Sequence, residues 1–571
     1  MSTTENGEFM QPILSVRDLH VAFGSKKEPK EVLHGISFDV YPGETVAIVG
    51  ESGSGKSTTM HAVINLLPGT GRTTEGSVQW NGQELVGIGR RKMESIRGRE
   101  IGFVPQDPMS NLNPVWSVGF QVEEAVRANG VAKGRKAVRE RAVEVLEQAG
   151  LQNAEQRMKQ YPHQFSGGMK QRALIGIGLA AEPQLLIADE PTSALDVTVQ
   201  RVVLDHLEEL TNKLGTAVVF ITHDLGLAAE RAEKLIVMYQ GNIVESGPSR
   251  EILERPQHPY TKRLVSAAPS LASRRIGDDA SMPTAPTSTF DIAALAQEPG
   301  KQVAHGEPMI EVEGLGKTYK LRKGNFGTED FHAVQDATFT VNRGETLALV
   351  GESGSGKSTI AKMILQLEKP SAGTIRIAGE DIGTFSGRRL FDLRRTLQPV
   401  FQDPYGSLDP LHNIGNTIME PLKIHGVGDA ASRRARMLEL LDQVALPREL
   451  ATRYPNELSG GQRQRVAVAR GLALKPDVLV LDEAVSALDV LVQAQILDLL
   501  AELQRELGLT YLFITHDLAV VRLIADRVCV MQQGRIVEQA STEDVFERPS
   551  EEYTRKLLEA IPGGRIELGI G

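Results

Sequence analysis

The sequence predicts an α/β fold of two similar domains in tandem, each built on a mostly parallel β-sheet. One observation is that five motifs occur twice along the 571 residues, in the same order and at nearly the same spacing. The other is that short β-branched apolar runs alternate with longer helix-like stretches in each copy, a pattern typical of a parallel sheet covered by helices. Together they indicate two copies of one α/β domain.

The repeated motifs mark equivalent positions in the two copies. The longest, GESGSGKST, begins at Gly50 and again at Gly351. The others follow in one order: QDP at Gln106 and Gln402, SGG at Ser166 and Ser459, SALD at Ser193 and Ser486, and THDL at Thr222 and Thr515.

Composition shifts place the domain boundaries. Residues 272–307 are rich in Pro, Ser, Thr and Gly and have no apolar periodicity, so we interpret them as a flexible linker. An ordered lid or an extra subdomain is the alternative. The first domain is then residues 1–271, and the second is residues 308–571.

The secondary-structure elements follow the same plan in both copies. Between the glutamine and SGG motifs, residues 120–150 and 418–445 are rich in Ala, Glu, Arg and Leu, which predicts an inserted helical subdomain. The predicted strands are 45–49, 185–188, 217–221 and 235–238 in the first copy, and 346–350, 478–481, 512–514 and 528–531 in the second.

Charge and cysteine content exclude several classes of function. The chain has 63 basic and 73 acidic residues, a net charge of −10, which argues against a broad basic surface for nucleic acid. Cys529 is the only cysteine, so a disulfide framework within the chain and a zinc or iron–sulfur centre held by several cysteines are excluded. With no signal-peptide pattern and no apolar run near the roughly 18 residues of a spanning helix, we expect a soluble, cytoplasmic chain.

The glycine-rich motif fits the phosphate-loop pattern and directly follows a predicted strand in each copy. Glycines let backbone N–H groups point at phosphates, Lys56 supplies positive charge to the β- and γ-phosphates, and Ser57 supplies a hydroxyl to Mg²⁺. Lys357 and Ser358 repeat the arrangement. A glycine-rich turn without function is the alternative for one copy, and its occurrence twice in strand context argues against it.

Paired carboxylates close the next predicted strand of each copy, as Asp189-Glu190 and Asp482-Glu483. The aspartate of each pair can hold the Mg²⁺ shell, and the adjacent glutamate can position and deprotonate the attacking water. A helix N-cap or a surface pair is the alternative.

A histidine ends a further strand in each copy. His223 and His516 follow apolar runs within the repeated THDL motif. A neutral imidazole there could bridge the γ-phosphate and the water, whereas a structural histidine is the alternative.

The SGG segments FSGGM (165–169) and LSGGQ (458–462) resemble the signature motif of ABC-type ATPases, in combination with the QDP, SALD and THD motifs. The resemblance covers both repeats. It implies two phosphate-loop nucleotide-binding domains, each with a RecA-like parallel core, an antiparallel β subdomain and a helical subdomain. It also implies ATP and Mg²⁺ as cofactors, with each ATP between one domain's phosphate loop and the other's signature motif.

In that arrangement one nucleotide lies on Lys56 and Ser459, and the other on Lys357 and Ser166. Met169 stands where the second copy has Gln462, which leaves equal turnover of the two sites open, but both copies keep a glutamate of the general-base type. We therefore expect both sites to hydrolyse ATP.

The resemblance also assigns the remaining site residues. The nucleotide contacts are Gly50, Ser52, Gly53, Gly55, Lys56, Ser57, Thr58, Ser166, Gly167 and Gly168, and Gly351, Ser353, Gly354, Gly356, Lys357, Ser358, Thr359, Ser459, Gly460, Gly461 and Gln462. Gln106 and Gln402 join the glutamates and histidines in catalysis, and the metal shell comprises Ser57, Gln106, Asp189, Ser358, Gln402 and Asp482. Phe23 and Tyr319 are assigned to stacking on adenine, with ordinary strand packing as the alternative.

Finer motifs resemble the peptide- and nickel-type importer branch of the family. They are the QDP segments 106–114 and 402–410 and the RPQHPYT tail at 255–261, which the second copy matches in part at 548–554. The branch implies two transmembrane permease subunits, an extracytoplasmic substrate-binding protein, and a place on the cytoplasmic face of the membrane through those permeases. The expected function is ATP-driven import of di- or oligopeptides, with glutathione, nickel chelates and microcins as further cargoes of the branch.

The main alternative is a soluble tandem ABC ATPase acting on ribosomes or nucleic acid. Such proteins typically carry a long charged helical linker, and DNA-repair members need zinc cysteines. Neither feature is present in this sequence, so we expect no nucleic-acid partner. A stand-alone kinase would leave the paired signature motifs without a role.

Overall fold

The computed structural model describes residues 11–106, 111–192, 195–268, 306–323, 327–402, 404–486 and 488–562. These residues form two compact units, 11–268 and 306–561. Nearly all of the predicted linker lies outside the described residues, as do Ser193 and the aspartates of both QDP motifs.

The first unit contains two sheets, as the sequence predicts. Its strands are β1 (Leu14–Gly24), β2 (Pro29–Val40), β3 (Thr45–Val49), β4 (Arg72–Trp80), β5 (Gln83–Glu84), β6 (Ile101–Val104), β7 (Leu185–Asp189), β8 (Ala217–Ile221), β9 (Lys234–Tyr239) and β10 (Asn242–Pro248). An antiparallel sheet has the order β2-β1-β4-β5, and a six-stranded sheet has the order β10-β9-β3-β8-β7-β6. In the larger sheet only β10 is antiparallel to its neighbour.

The central strands β7 and β8 are apolar except for Asp189 at the end of β7, because helices cover both faces of the sheet. Every residue of β7 and β8 is buried, including the polar Asp189 at the end of β7. Continuous apolar runs, rather than alternation, are what a doubly covered parallel sheet requires. The four predicted strands of the first copy lie within β3, β7, β8 and β9.

The helices of the first unit connect these strands. They are Lys56–Val63, Arg90–Ile96, Val118–Ala128, Arg135–Gln148, Ala154–Arg157, Gly167–Leu179, Val197–Leu214, Leu225–Arg231, Ser249–Glu254 and Pro259–Ala267, with a 3₁₀ turn at Pro162–Gln164. Aspartates begin two of them: the carboxylate of Asp196 accepts a hydrogen bond from the Val199 amide at 3.0 Å, and Asp224 accepts one from Leu227 at 3.1 Å.

The predicted helical subdomain is present between β6 and β7. Its helices Val118–Ala128 and Arg135–Gln148 pack on the helix Gly167–Leu179 and enclose an apolar core of their own, which includes Val122 and Leu146. The sequence predicted a helical subdomain over residues 120–150 without specifying its individual helices. In the structure this segment contains two helices: Gly130, with φ 71°, follows the end of the first, and Gly134, with φ 85°, immediately precedes the second.

The second unit repeats this architecture. Its strands are β11 (Pro308–Lys323), β12 (Gly327–Asn342), β13 (Thr346–Val350), β14 (Ala372–Ile377), β15 (Glu380–Asp381), β16 (Leu397–Val400), β17 (Val478–Asp482), β18 (Thr510–Thr515), β19 (Arg527–Gln532) and β20 (Arg535–Ser541). The sheet orders, β12-β11-β14-β15 and β16-β17-β18-β13-β19-β20, match those of the first unit strand for strand.

The helices of the second unit match as well. They are Lys357–Ile364, Gly387–Thr396, Pro404–Ser407, Ile414–Ile424, Ala430–Gln443, Gly460–Leu472, Val490–Leu507, Leu518–Ile524, Thr542–Glu547 and Glu552–Glu559, with 3₁₀ turns at Ile382–Thr384, Arg448–Thr452 and Pro455–Glu457. Within the described ranges of both units, none of the helices has the length and apolar character needed to cross a membrane.

Candidate active site

The phosphate loop and the predicted glutamine, carboxylate and histidine residues follow strands that end at one edge of the large sheet in each unit. In the first unit β3, β6, β7 and β8 run parallel, so their carboxyl ends lie along the same edge. The phosphate loop follows β3, Gln106 follows β6, Glu190 follows β7 and His223 follows β8. Strand order therefore assembles motifs that are far apart in the chain.

The loop after β3 leads into the helix Lys56–Val63, which begins after Gly55 in a left-handed backbone conformation. Gly50 has φ 146°, and a Cβ at this position would lie 2.1 Å from the carbonyl oxygen of Met238, so only glycine fits. A Cβ on Gly53, by contrast, would meet nothing within 4 Å. The loop is thus packed tightly against β9 at its start and open at its centre.

Lys56 is buried against this loop. Its Nζ donates hydrogen bonds to the carbonyl oxygens of Gly50 at 2.7 Å and Glu51 at 2.9 Å. Burial of a lysine requires such partners, because a desolvated charge without them is costly. The ammonium is thereby held against the loop that follows β3.

Ser57 and Asp189 lie together beside the lysine. The Ser57 hydroxyl donates to Asp189 Oδ1 at 3.0 Å, and burial raises the pKa of Asp189 although this hydrogen bond acts against the rise. A hydroxyl and a carboxylate are hard oxygen donors of the kind that Mg²⁺ takes with only one or two protein ligands. The residues present therefore fit a magnesium ion bound together with phosphates.

Glu190 is the centre of a second group of side chains. Gln106 Nε2 donates to Glu190 Oε2 at 2.8 Å, and His223 Nδ1 lies 3.4 Å from Glu190 Oε1. The structure thus brings together three of the predicted catalytic residues, which come from the ends of three different strands.

The charge state of Glu190 follows from these contacts. Burial acts to raise its pKa, but the contact with His223 and the positive charges of His223 and Lys56 outweigh burial, so the pKa lies below its ordinary value. Burial correspondingly acts to lower the pKa of His223, and the Glu190 carboxylate raises it. Glu190 is therefore ionised at neutral pH and able to accept a hydrogen bond from water.

The backbone at the glutamate is a feature that sequence reasoning missed. Glu190 has φ 43° and Glu483 has φ 49°, left-handed values that are uncommon for a glutamate. The amide of each glutamate donates to the adjacent strand, to Ile221 at 2.9 Å and to Ile514 at 2.8 Å. Strain of this kind persists where a surrounding structure imposes it and is concentrated at functional sites. No local sequence signal marks it, because glycine, the usual left-handed residue, is not used.

The second unit repeats these contacts. Lys357 Nζ donates to the carbonyl oxygens of Gly351 at 2.7 Å and Glu352 at 2.8 Å. Ser358 donates to Asp482 at 3.1 Å. Around the second glutamate, Gln402 Nε2 bonds Glu483 Oε2, and His516 Nδ1 lies 3.3 Å from Glu483 Oε1.

The signature motifs begin helices in both units, and the two beginnings differ. Ser166 and Ser459 are N-caps whose hydroxyls accept from the amides of Met169 at 3.4 Å and Gln462 at 3.3 Å. The Gln462 side chain also accepts from the Ser459 amide at 3.0 Å and completes a capping box. Methionine at 169 has no group that can make this reciprocal bond.

The glycines of the signature motifs differ in their surroundings. A Cβ on Gly461 would lie 2.3 Å from Val492 Cγ1, and a Cβ on Gly168 would lie 2.6 Å from Val199 Cγ1. On Gly460 a Cβ would make only an ordinary contact, 3.8 Å from Leu488. The second glycine therefore allows close packing on the following helix within its own unit.

The two aromatic residues predicted to stack on adenine lie on equivalent strands but have different neighbours. Phe23 on β1 packs against the core and lies close to Gly71, where a Cβ would come within 2.7 Å of its ring. The Tyr319 hydroxyl on β11 donates to Glu368 at 2.7 Å. Both contacts are compatible with strand packing, so stacking on adenine stays a prediction.

Two family descriptions match the chain. The first, "ABC transporter", covers residues 33–193 and 334–486, one segment in each unit. The second, "Oligopeptide/dipeptide transporter, C-terminal region", covers residues 244–293 and 537–569.

Full-length relatives are similar to the whole chain. The glutathione import ATP-binding protein GsiA of Salmonella typhimurium (strain LT2) is 44% identical over 561 residues, which cover 96% of this chain and 89% of that protein. GsiA of Escherichia coli (strain K12) is 44% identical over 566 residues with the same coverage. Among solved structures, a dimeric ATP-binding cassette, MJ0796, bound to ADP and phosphate, is 32% identical with a TM-score of 0.37. It matches 41% of this chain and 99% of its own.

Proposed function

This chain belongs to the ABC transporter family, and from that premise we propose that it is the ATP-hydrolysing subunit of an importer of short peptides. The observation that carries the ATPase assignment is the repeated cluster of lysine, serine, aspartate, glutamate and glutamine around each phosphate loop. The importer assignment is supported by the match to the oligopeptide/dipeptide transporter region and by relatives named for glutathione import.

At each site the phosphates of ATP lie against the backbone amides of the phosphate loop. Lys56 exchanges its contacts with the Gly50 and Glu51 carbonyls for the β- and γ-phosphates. Ser57 and Asp189 would hold Mg²⁺, which would neutralise charge on the phosphates. The same roles fall to the equivalent residues of the second unit.

Glu190 orients the water that attacks the γ-phosphate and accepts its proton, so the products are ADP and inorganic phosphate. Its low pKa keeps it ionised for this task, and the strained backbone fixes the direction of the carboxylate. Gln106 holds one carboxylate oxygen and His223 the other, which leaves little freedom for the side chain.

We further propose that the signature motif of the other unit completes each ATP-binding site. Each signature serine begins a 13-residue helix whose amino-terminal amides favour an anion such as a γ-phosphate. ATP binding then closes the two units head to tail, and hydrolysis with phosphate release reopens them. The driving force is tighter ATP binding by the closed state than by the open one.

Exposed apolar side chains that follow Gln106 in the chain support a permease partner. Val115, Trp116 and Phe120 are 73%, 49% and 39% exposed, and the two aromatic rings stack at 4.5 Å. Leu411 is 83% exposed at the equivalent place in the second unit. We assign these side chains to contact with two transmembrane permease subunits, which would hold the chain at the cytoplasmic face of the membrane. Gln106 would link that contact to the nucleotide.

The first test is affinity purification of the Glu190→Gln/Glu483→Gln variant from detergent-solubilised cells in ATP and Mg²⁺. Recovery of two permease-like membrane proteins supports the proposal, and their loss in a further Trp116→Ala/Leu411→Ala variant assigns the contact. Recovery of ribosomal proteins or nucleic acid in place of permeases would reject the importer assignment, but the ATPase assignment would stand.

The cargo is tested by uptake. Cells that lack this chain should lose accumulation of labelled glutathione or of labelled di- and oligopeptides, and the wild-type chain should restore it. Uptake of both kinds that does not depend on the chain would reject the cargo class.

A further inference from the structure

We infer that the tail tyrosines, Tyr260 and Tyr553, are positioning residues that hold the phosphate loop in its nucleotide-binding shape. The inference rests on the proposed binding of ATP at the two phosphate loops. It assigns a role to the tail segments, 255–261 and 548–554, which the ATPase mechanism itself does not use.

The contact is a hydrogen bond from the loop to the tail. The Glu51 amide donates to the Tyr260 hydroxyl oxygen at 2.9 Å, across 209 residues of chain. The carbonyl of the same Glu51 accepts from Lys56 Nζ. The tyrosine therefore fixes one of the two loop residues whose carbonyls hold the lysine, and it acts on the lysine through the backbone.

The tyrosine is itself rigidly held. Tyr260 is 2% exposed, and its ring stacks on Tyr239, the last residue of β9, with centroids 4.2 Å apart. Its amide donates to His258 Nδ1 at 3.2 Å, at the beginning of the helix Pro259–Ala267.

A half-buried carboxylate ties the tail turn to the large sheet. Glu245 on β10 accepts from the amides of Gln257 at 2.9 Å and His258 at 3.1 Å. The Tyr260 hydroxyl is thus positioned by a tail turn that is bonded to β10 of the large sheet, and it contacts the phosphate loop.

The second unit makes the same contact with a different tail sequence. The Glu352 amide donates to the Tyr553 hydroxyl at 3.2 Å, and the carbonyl of Glu352 accepts from Lys357. Glu538 on β20 accepts from the amides of Ser550 at 2.8 Å and Glu551 at 3.3 Å. Glu551 replaces the histidine cap and makes no side-chain cap bond. The tyrosine–loop bond is retained where its surroundings have changed.

A loop that is held in its binding shape loses less conformational freedom when phosphate binds. Removal of the hydroxyl should therefore weaken ATP binding without changing the chemical step, because the contact is present before and during the reaction. Loss of one neutral hydrogen bond corresponds to about a two- to tenfold change in affinity.

The experiment compares the full-length wild type with Tyr260→Phe, Tyr553→Phe and the double variant. The matched control is Tyr239→Phe, which keeps the same ring stack and loses a hydroxyl that contacts Gln240 rather than the loop. We expect the Kd and KM for ATP to rise about two- to tenfold in the double variant, with kcat at saturating ATP equal to that of the control. Amide exchange at Glu51 and Glu352 should be faster.

An unchanged Kd, KM and amide exchange relative to Tyr239→Phe would overturn the inference. So would a variant that melts earlier without nucleotide but binds ATP as tightly as the control, because the hydroxyl would then only secure the tail. Failure of the wild type to bind ATP would instead reject the proposed function.

Discussion

The two glycines of the second unit's signature motif, Gly460 and Gly461, are expected to respond differently to replacement by alanine. Gly461→Ala should lower the stability of the chain, whereas Gly460→Ala should affect its ATPase activity. In Gly461→Ala, the new methyl group would lie 2.3 Å from Val492 Cγ1, far inside van der Waals contact, and both residues belong to packed helices. Overpacking of this kind costs about 1–3 kcal/mol of unfolding free energy. For a unit of this size, each kcal/mol of lost unfolding free energy lowers the Tm by about 2–4 °C.

The matched control is the neighbouring residue. Gly460→Ala adds the same methyl group 3.8 Å from Leu488, an ordinary contact, so the unfolding free energy should change by no more than about 0.5 kcal/mol. Its ATPase activity should nevertheless fall if this face of the helix approaches the nucleotide, as proposed.

The assay is thermal and urea unfolding of the full chain, followed by circular dichroism, with ATPase rates measured in parallel. Val492→Ala removes the clashing methyl groups, so a double-mutant cycle should show that it relieves most of the cost of Gly461→Ala. Equal stability of Gly461→Ala and the wild type, or a cost that Val492→Ala leaves intact, would refute the packing argument.

Three further predictions concern the chemistry and the caps. Replacement of both Glu190 and Glu483 by Gln should lower steady-state phosphate release about a hundredfold or more while ATP still binds; rapid release would remove their role as bases. Ser358→Ala should raise the Mg²⁺ concentration needed for half-maximal hydrolysis, measured by titration at fixed ATP, and an unchanged midpoint would exclude this hydroxyl from the metal shell. Met169→Gln supplies the missing capping-box partner and should stabilise the first unit by about 0.5–1 kcal/mol in urea unfolding; no gain would show that the helix start is already satisfied.

Much of the fold could be predicted because its signals are local. The runs of β3, β7, β8 and β9 are continuous and apolar, which is the mark of strands covered on both faces, and the two copies support each other. The bounds of the individual helices in the helical subdomain were not predicted, because composition over a long window averages out glycines such as Gly130 and Gly134.

The sequence predicted which residues belong to the candidate site better than it predicted how they are arranged. Lys56 and Asp189 are recognisable from motif and strand context. The difference in packing between Gly460 and Gly461 depends instead on where Val492 lies. The residues of one motif carry no information about the position of a helix that begins some thirty residues later.

By itself the sequence determined that there are two copies, that each carries a phosphate loop after a strand, and that carboxylates end a neighbouring strand. Tertiary structure alone decided that Gln106 and His223 meet at Glu190, that this glutamate has a left-handed backbone, and that Tyr260 bonds the loop. The physical reason is that motifs and apolar runs are encoded within a few residues. Contacts across 33 to 209 positions instead depend on strand order and on the register of packed elements, which no short segment specifies.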